Sequence, residues 1–293
     1  MRQHLLALAL IAALGGCQQA DAPTAPAGTA ATAPAADAAV DAAFADLSKR
    51  ALDTWMQLSP ISATQIGDHR YDSEIDDLSA AGQQKMLTAY KGLLGELDKV
   101  EVSKLSRENQ VDAAILRNQL QSEIWNAEVL QASKWDPQIY NGTAGSALYG
   151  LMAREFAPLP ERLKSATARM EKLPQIFAQA RENLDPARVP KIHAETVAKQ
   201  NKGILSIVDT FITPHIGELP AEDGKRLQAA IDGLKKAVDE QQTWLDKTLV
   251  PNAKGDFRIG AELYDQKLKF ALNSSLSRAE IGERARAELK RVR

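Results

Sequence analysis

The chain has 293 residues, 44% of them hydrophobic and 25% charged, with 36 Lys+Arg against 38 Asp+Glu. That supply of apolar side chains is ample for a core, and a net charge of −2 argues against the strongly basic face of a nucleic-acid binder. With one cysteine in the whole sequence, a disulfide scaffold and a cysteine-ligated zinc site are both excluded.

The first segment, 1–16, carries one basic residue, Arg2, and an apolar run from Leu5 to Leu14. The run is too short for a permanent membrane-spanning helix and ends in small residues, as secretory signal peptides do. Leu14-Gly15-Gly16-Cys17 has the form of a bacterial lipobox. It implies cleavage before Cys17, diacylglycerol on the sulfur and acylation of the new amino terminus; an ordinary signal peptide with an incidental cysteine is the alternative. Gln18, rather than Asp, follows the cysteine, a choice that in enteric-type bacteria favours the outer membrane. The expected address is the cell envelope, with the protein lipid-anchored through Cys17 and its folded part facing the periplasm. Residues 17–37 add an Ala/Pro/Thr-rich tether to the lipidated cysteine. It lacks the large apolar side chains that offset the entropy of ordering, so it is expected to be a disordered spacer.

Residues 38–293 are expected to form an all-α, irregular multi-helix array, because Ala, Leu, Glu, Lys and Gln dominate and β-branched runs are rare. Val40, Phe44, Leu47, Ala51 and Trp55 fall on one stripe at helical spacing, and Ser59-Pro60 should end that helix and start a short one that Gly67 closes. After the polar loop 68–78, Ser79 can cap a helix carrying Met86, Tyr90, Leu93 and Leu97. Ser106 opens a longer one, with Val111, Ile115, Leu116, Leu120, Ile124 and Leu130 expected on its buried faces. Trp135-Asp136-Pro137 breaks the pattern, and Tyr140–Gly145 reads as a turn before a short helix through Phe156. A helix from Glu161 to Leu184, with a bend expected at Pro174, is followed by one from Pro190 to about Pro214. Another spans about 221–249 with a seam of Leu227, Ile231, Leu234, Val238 and Leu245. One short extended segment is expected near 254–259, then two last helices, 260–273 and 277–293. Ser277 and Glu280 make a capping box for the last. Its stripe of Ile281, Ala285, Leu289 and Val292 calls for a partner, and the abrupt end of that stripe suggests the front part of a longer polypeptide.

Catalytic motifs are missing from the sequence. It has no His-Glu-x-x-His pair to hold zinc and activate water, no Gly-x-Ser-x-Gly elbow and no phosphate loop. Three patches remain as candidate cleft-lining groups: His69, Arg70 and Tyr71; Tyr140 and Asn141; and Arg258, Tyr264 and Lys267. Ligand contact is possible for each. A hydrogen-bonded loop accounts better for the first and a glycine turn for the second, while salt bridges on a structural turn fit the third equally well.

Several phrases together resemble a known bacterial family. They are Leu58-Ser59-Pro60-x-x-Ala63-Thr64-x-x-Gly67-x-x-Arg70-Tyr71-Asp72, Tyr140-Asn141-Gly142, Leu159-Pro160-Glu161-Arg162-Leu163 and Arg258-Ile259-Gly260 with Tyr264-Asp265-x-Lys267-Leu268. In this order they are similar to domain of unknown function 885, over 43–293. The resemblance implies a mostly helical fold, lipoprotein members, and a likeness to zinc metallopeptidases whose zinc motif lies in a C-terminal half. This sequence ends before that motif, so no catalytic or metal residue carries over. The resemblance thus implies the N-terminal helical half of a zinc-peptidase-like hydrolase, forming part of a cleft for a peptide substrate. Zinc is expected only in the full-length protein, and this half is expected to be inactive alone, its missing C-terminal half being its partner. The alternative is a non-catalytic helical lipoprotein that binds a peptide or an envelope partner.

Overall fold

A computed structural model describes residues 36–293; the signal peptide, Cys17 and nearly all of the tether lie outside the described residues. Asp37 starts the first helix, α1 (Ala38–Leu58), by accepting from the amides of Ala39 and Val40. Phe44, Leu47 and Ala51 are buried on its inner stripe. Pro60 then opens α2 (Pro60–Ile66), which Gly67 ends at φ +94°, a left-handed cap that glycine adopts without steric cost.

Helices α3 (Ala80–Leu97) and α4 (Arg107–Trp125) are capped by the hydroxyls of Ser79 and Ser106. With α1 they enclose a first core of Phe44, Leu47, Tyr90, Leu93, Leu97, Ala113 and Leu120. Val111 and Ile115, expected on a buried face of α4, are instead exposed. The buried stripe runs Ala113, Leu116, Leu120 and Ile124, and a residue two positions away from such a stripe faces the other way. A wide turn over 126–130 ends α4 and leaves Gln131 left-handed at φ +52°.

The segment Tyr140–Gly145 is not a turn. It lies inside α5 (Gln138–Met152), which begins directly after Pro137, where Asp136 Oδ1 accepts from the amide of Gln138 at 3.1 Å. Tyr140, Ala144, Ala147, Leu148 and Leu151 are all buried at helical spacing. Their packing outweighs the cost of Gly142 and Gly145, about 1 kcal/mol each relative to alanine. Phe156 follows the helix rather than ending it.

The larger core lies around α6 (Leu159–Asn183) and α9 (Ala221–Trp244). Leu163, Met170, Leu173, Ile176 and Phe177 from α6 join the seam of Leu227, Ile231, Leu234 and Val238, and α6 is helical through Pro174. The helix expected from Pro190 to Pro214 is two, α7 (Lys191–Gln200) and α8 (Gly203–Phe211). They part at the buried Asn201, whose Nδ2 donates to Val238 O and Gln242 Oε1 on α9. This side chain ties the junction of α7 and α8 to α9.

A wide turn over 245–249 carries α9 into the single turn α10 (Val250–Asn252). The extended segment expected at 254–259 shrinks to one parallel bridge, between Gly255 and Pro190. Beyond it α11 (Ala261–Leu272) rests on α4: Trp125 Nε1 donates to Gln266 Oε1 at 2.6 Å and Asn118 Nδ2 to Phe270 O at 3.0 Å. The last helix, α12 (Arg278–Val292), has the capping box of Ser277 and Glu280 and no buried residue. Among the described residues no strand forms and no helix is long and apolar enough to cross a membrane.

Candidate functional site

Arg169 is the polar centre of the fold. It is fully buried on α6, and its guanidinium donates from Nε to Glu74 O and from Nη1 to Ala147 O, both at 2.9 Å. Its Nη2 reaches Thr64 Oγ1 at 2.7 Å and Pro60 O at 3.2 Å. One side chain therefore joins α2, the 68–78 loop, α5 and α6. Burial lowers its pKa to about 10, opposed by the negative charges of Asp72, Asp76 and Glu74; the group remains cationic at neutral pH. Burial likewise pushes the Asp76 carboxyl up, against its bond from the Ile61 amide and the nearby Arg169 charge.

The His69–Tyr71 turn is assembled on this hub. Asp68 accepts from the Arg70 amide to start the turn. The Arg70 guanidinium pairs with Asp68 at 2.6 Å and with Asp53 of α1 at 2.9 Å. Asp72 is buried, accepts from Thr64 Oγ1 at 2.6 Å, and lies 3.0 Å from His69 Nδ1. The His69 ring stacks on Phe156 with centroids 3.6 Å apart. His69, Arg70 and Tyr71 line an open groove of about 340 Å³ with Phe156, Glu161, Arg162 and Ser165. Arg162 is itself buried, and it ties down the end of α5 through Leu151 O, Met152 O and Ala157 O.

The second patch divides. Tyr140 is 2% exposed; its hydroxyl donates to Ser133 O at 2.8 Å and accepts from Asn183 Nδ2 at 3.0 Å. Burial pushes the phenol up to about 12. Tyr140→Phe should leave Ser133 O without its donor and Asn183 Nδ2 with Leu78 O alone, and lower the unfolding free energy by about 1–3 kcal/mol. Urea denaturation measures this; no loss would mean that water replaces the hydroxyl.

Asn141 instead lines a groove of about 490 Å³ between α5 and the α7–α8 pair. Gly142, Gly145, Ser146 and Tyr149 form one side, and Lys199, Gln200, Gly203, Ile204 and Ile207 the other. A methyl group added at Gly142, Gly145 or Gly203 would meet nothing within 4 Å. Tyr149 is half exposed and stands edge-on to Phe211, with centroids 6.3 Å apart.

The third patch lines neither groove. Arg258 lies over the exposed Phe257 ring at 4.2 Å and 3.6 Å from Asp256, while Tyr264 and Lys267 are exposed on α11. The three patches do not form one wall, and the two grooves have no lining residue in common. Among the described residues no group of three or more His, Cys, Asp and Glu side chains could hold a metal ion.

Sequence reasoning missed Arg162 and Arg169. Their signal is positional: with Ala166 and Leu173 they fall at steps of four, three and four on the apolar stripe of α6, where a cation is out of place unless it serves buried acceptors.

Residues 60–293 match a family described as a bacterial protein of unknown function, DUF885. The chain is also similar to the solved structure of a candidate lipoprotein of unknown function from Shewanella oneidensis. The TM-score is 0.78 at 30% identity, over 85% of this chain and 46% of that one. This chain thus spans less than half the length of that relative. No curated protein matches the sequence.

Proposed function

The chain belongs to the bacterial DUF885 family, and from that membership we propose a lipid-anchored protein of the cell envelope that supplies the substrate-facing helical half of a peptidase-like hydrolase. Its anchor is Cys17, and its place is the outer membrane, facing the periplasm. Support for the anchor comes from the lipobox and from the description of the Shewanella oneidensis relative as a candidate lipoprotein.

The observation that carries the functional reading is the groove between α5 and α7–α8. Its volume, about 490 Å³, is within the common range for ligand sites, about 300–1,000 Å³. Three glycines leave its floor free of side chains, so an extended peptide backbone can approach closely. Asn141 and Gln200 offer amide donors and acceptors to peptide groups, and Tyr149 gives a rigid apolar surface for a neighbouring side chain. Lys199 adds one positive charge for a carboxylate. This half binds and orients; zinc and the group that activates water belong to residues outside this sequence. A length below half that of the relative supports this division of labour.

Fluorescence anisotropy with a panel of labelled hexapeptides tests the groove. Gly145→Leu should weaken peptide binding by at least about tenfold, equivalent to 1.4 kcal/mol, with unchanged helix content. Gly142→Ala should raise stability by about 0.5–1 kcal/mol, because helical alanine is favoured over glycine and the added methyl meets open space. If no peptide binds, or if Gly145→Leu binds as well as wild type, the groove reading is wrong.

A second reading is a non-catalytic lipoprotein that binds a peptide or an envelope protein. Hydrolysis of bound peptides by a family-length protein decides for the hydrolase; binding without turnover decides for the alternative.

A further inference from the structure

The least supported element of the fold is α12. Its capping box fixes where it starts, yet residues 283–293 are all exposed, including Leu289 at 49% and Val292 at 62%. A 15-residue helix of this kind is marginal in water unless an apolar face is packed. At the start of α12 Arg278 pairs with Asp265 of α11, and Ile281 is half-buried, but Ala285, Leu289 and Val292, which continue the same face, are exposed. Residues 278–293 contain six Arg or Lys and three Glu, or +3. Arg286 and Lys290, one turn apart on the flank of the stripe, form no ion pair among the described residues.

Three kinds of occupant could cover such a face, and they are not equally suited. A second copy would bring one +3 helix against another, which like-charge repulsion opposes. A membrane surface suits helices with Trp, Phe or several Leu on the apolar side. Here the stripe contains Ala285 beside Gly282 and a single Leu, a surface suited to close approach of another helix. The remaining occupant is more of the same protein. In the Shewanella oneidensis relative, 54% of the chain (100 − 46) lies outside the part matched here.

We propose that α12 is the docking face for the second half of a family-length protein, which contributes an apolar helix rimmed by acidic side chains opposite Arg286 and Lys290. This rests on the reading that the chain is part of a longer folded unit, but not on the peptide groove.

Amide hydrogen exchange tests it on the 293-residue chain and on the family-length Shewanella oneidensis protein. In the short chain 278–292 should exchange almost as fast as an unstructured segment. The helix at that position in the family-length protein should exchange at least about 100-fold more slowly, the mark of a packed element. Equally fast exchange in both would overturn the proposal. So would protection in the short chain wherever light scattering reports a dimer that Leu289→Asp dissociates, which would assign the face to a second copy. Protection of the short chain only with phosphatidylglycerol vesicles would assign it to the membrane. Failure of peptide binding leaves these outcomes untouched, so the two readings fail separately.

Discussion

Arg169→Met is expected to lower the unfolding free energy by about 3–5 kcal/mol, the usual cost of removing one side of a buried charged network. Methionine nearly fills the volume of the arginine stem, so a large loss would report hydrogen bonding and charge rather than a cavity. The carbonyl of Glu74 and the hydroxyl of Thr64 lose their guanidinium donors. Tyr71 O is less affected, since it also accepts from the amide of Glu74. The buried Asp72 loses its nearby compensating charge, and Asp76 becomes harder still to ionise. Chemical denaturation at pH 7 measures the effect. A loss below about 1 kcal/mol, the worth of one ordinary hydrogen bond, would show that the loop 68–78 is held by other contacts.

Cys17→Ala should move essentially all of the protein from the membrane fraction to the soluble periplasm and abolish labelling by radioactive palmitate. The magnitude follows from the acyl chains. Each buried methylene contributes about 0.8 kcal/mol, and one myristoyl chain gives only reversible binding, with an association constant of about 10⁴ M⁻¹. Two or three chains make attachment effectively permanent, whereas the alanine variant has none. No helix among the described residues is long and apolar enough to cross a membrane and so retain the protein. Membrane retention of the variant without palmitate would reject Cys17 as the anchor.

Much of the architecture was legible because it is periodic. The seam of Leu227, Ile231, Leu234, Val238 and Leu245 is buried throughout, and Ser79, Ser106, Ser277 and Gly67 cap the helices they were expected to cap. Misreadings arose where local and tertiary preferences oppose each other. Gly142 and Gly145 look like a turn, yet they sit on the groove side of a helix whose other side is core. The break at Asn201 was hidden for the opposite reason. The side chain at the break bonds to Val238, 37 residues away, a link that no local pattern carries.

The candidate residues were harder still. His69, Arg70 and Tyr71 meet Phe156 and Arg162 beside Arg169, which bonds from α6 to α2 and α5. Tyr140, adjacent in sequence to a groove residue, is buried and takes part in a hydrogen-bond network. Each residue along a helix turns by about 100°, so a longer run of consecutive residues cannot all face one groove.

The bridge at Gly255 has a consequence in the drift of sequences over evolutionary time. Its amide donates to Val189 O at 2.9 Å, and the Lys254 amide donates to Pro186 O. At this approach a side chain on residue 255 would begin 1.9 Å from Arg188 O, closer than any real contact. Position 255 therefore has no neutral neighbours in sequence space: each single substitution opens the clasp, while Lys254 and Asp256 beside it remain free to vary. Descendants that keep the junction between α10 and α11 should keep this glycine through changes that replace most of the surface, and a lineage that lost it would have had to rebuild the junction first.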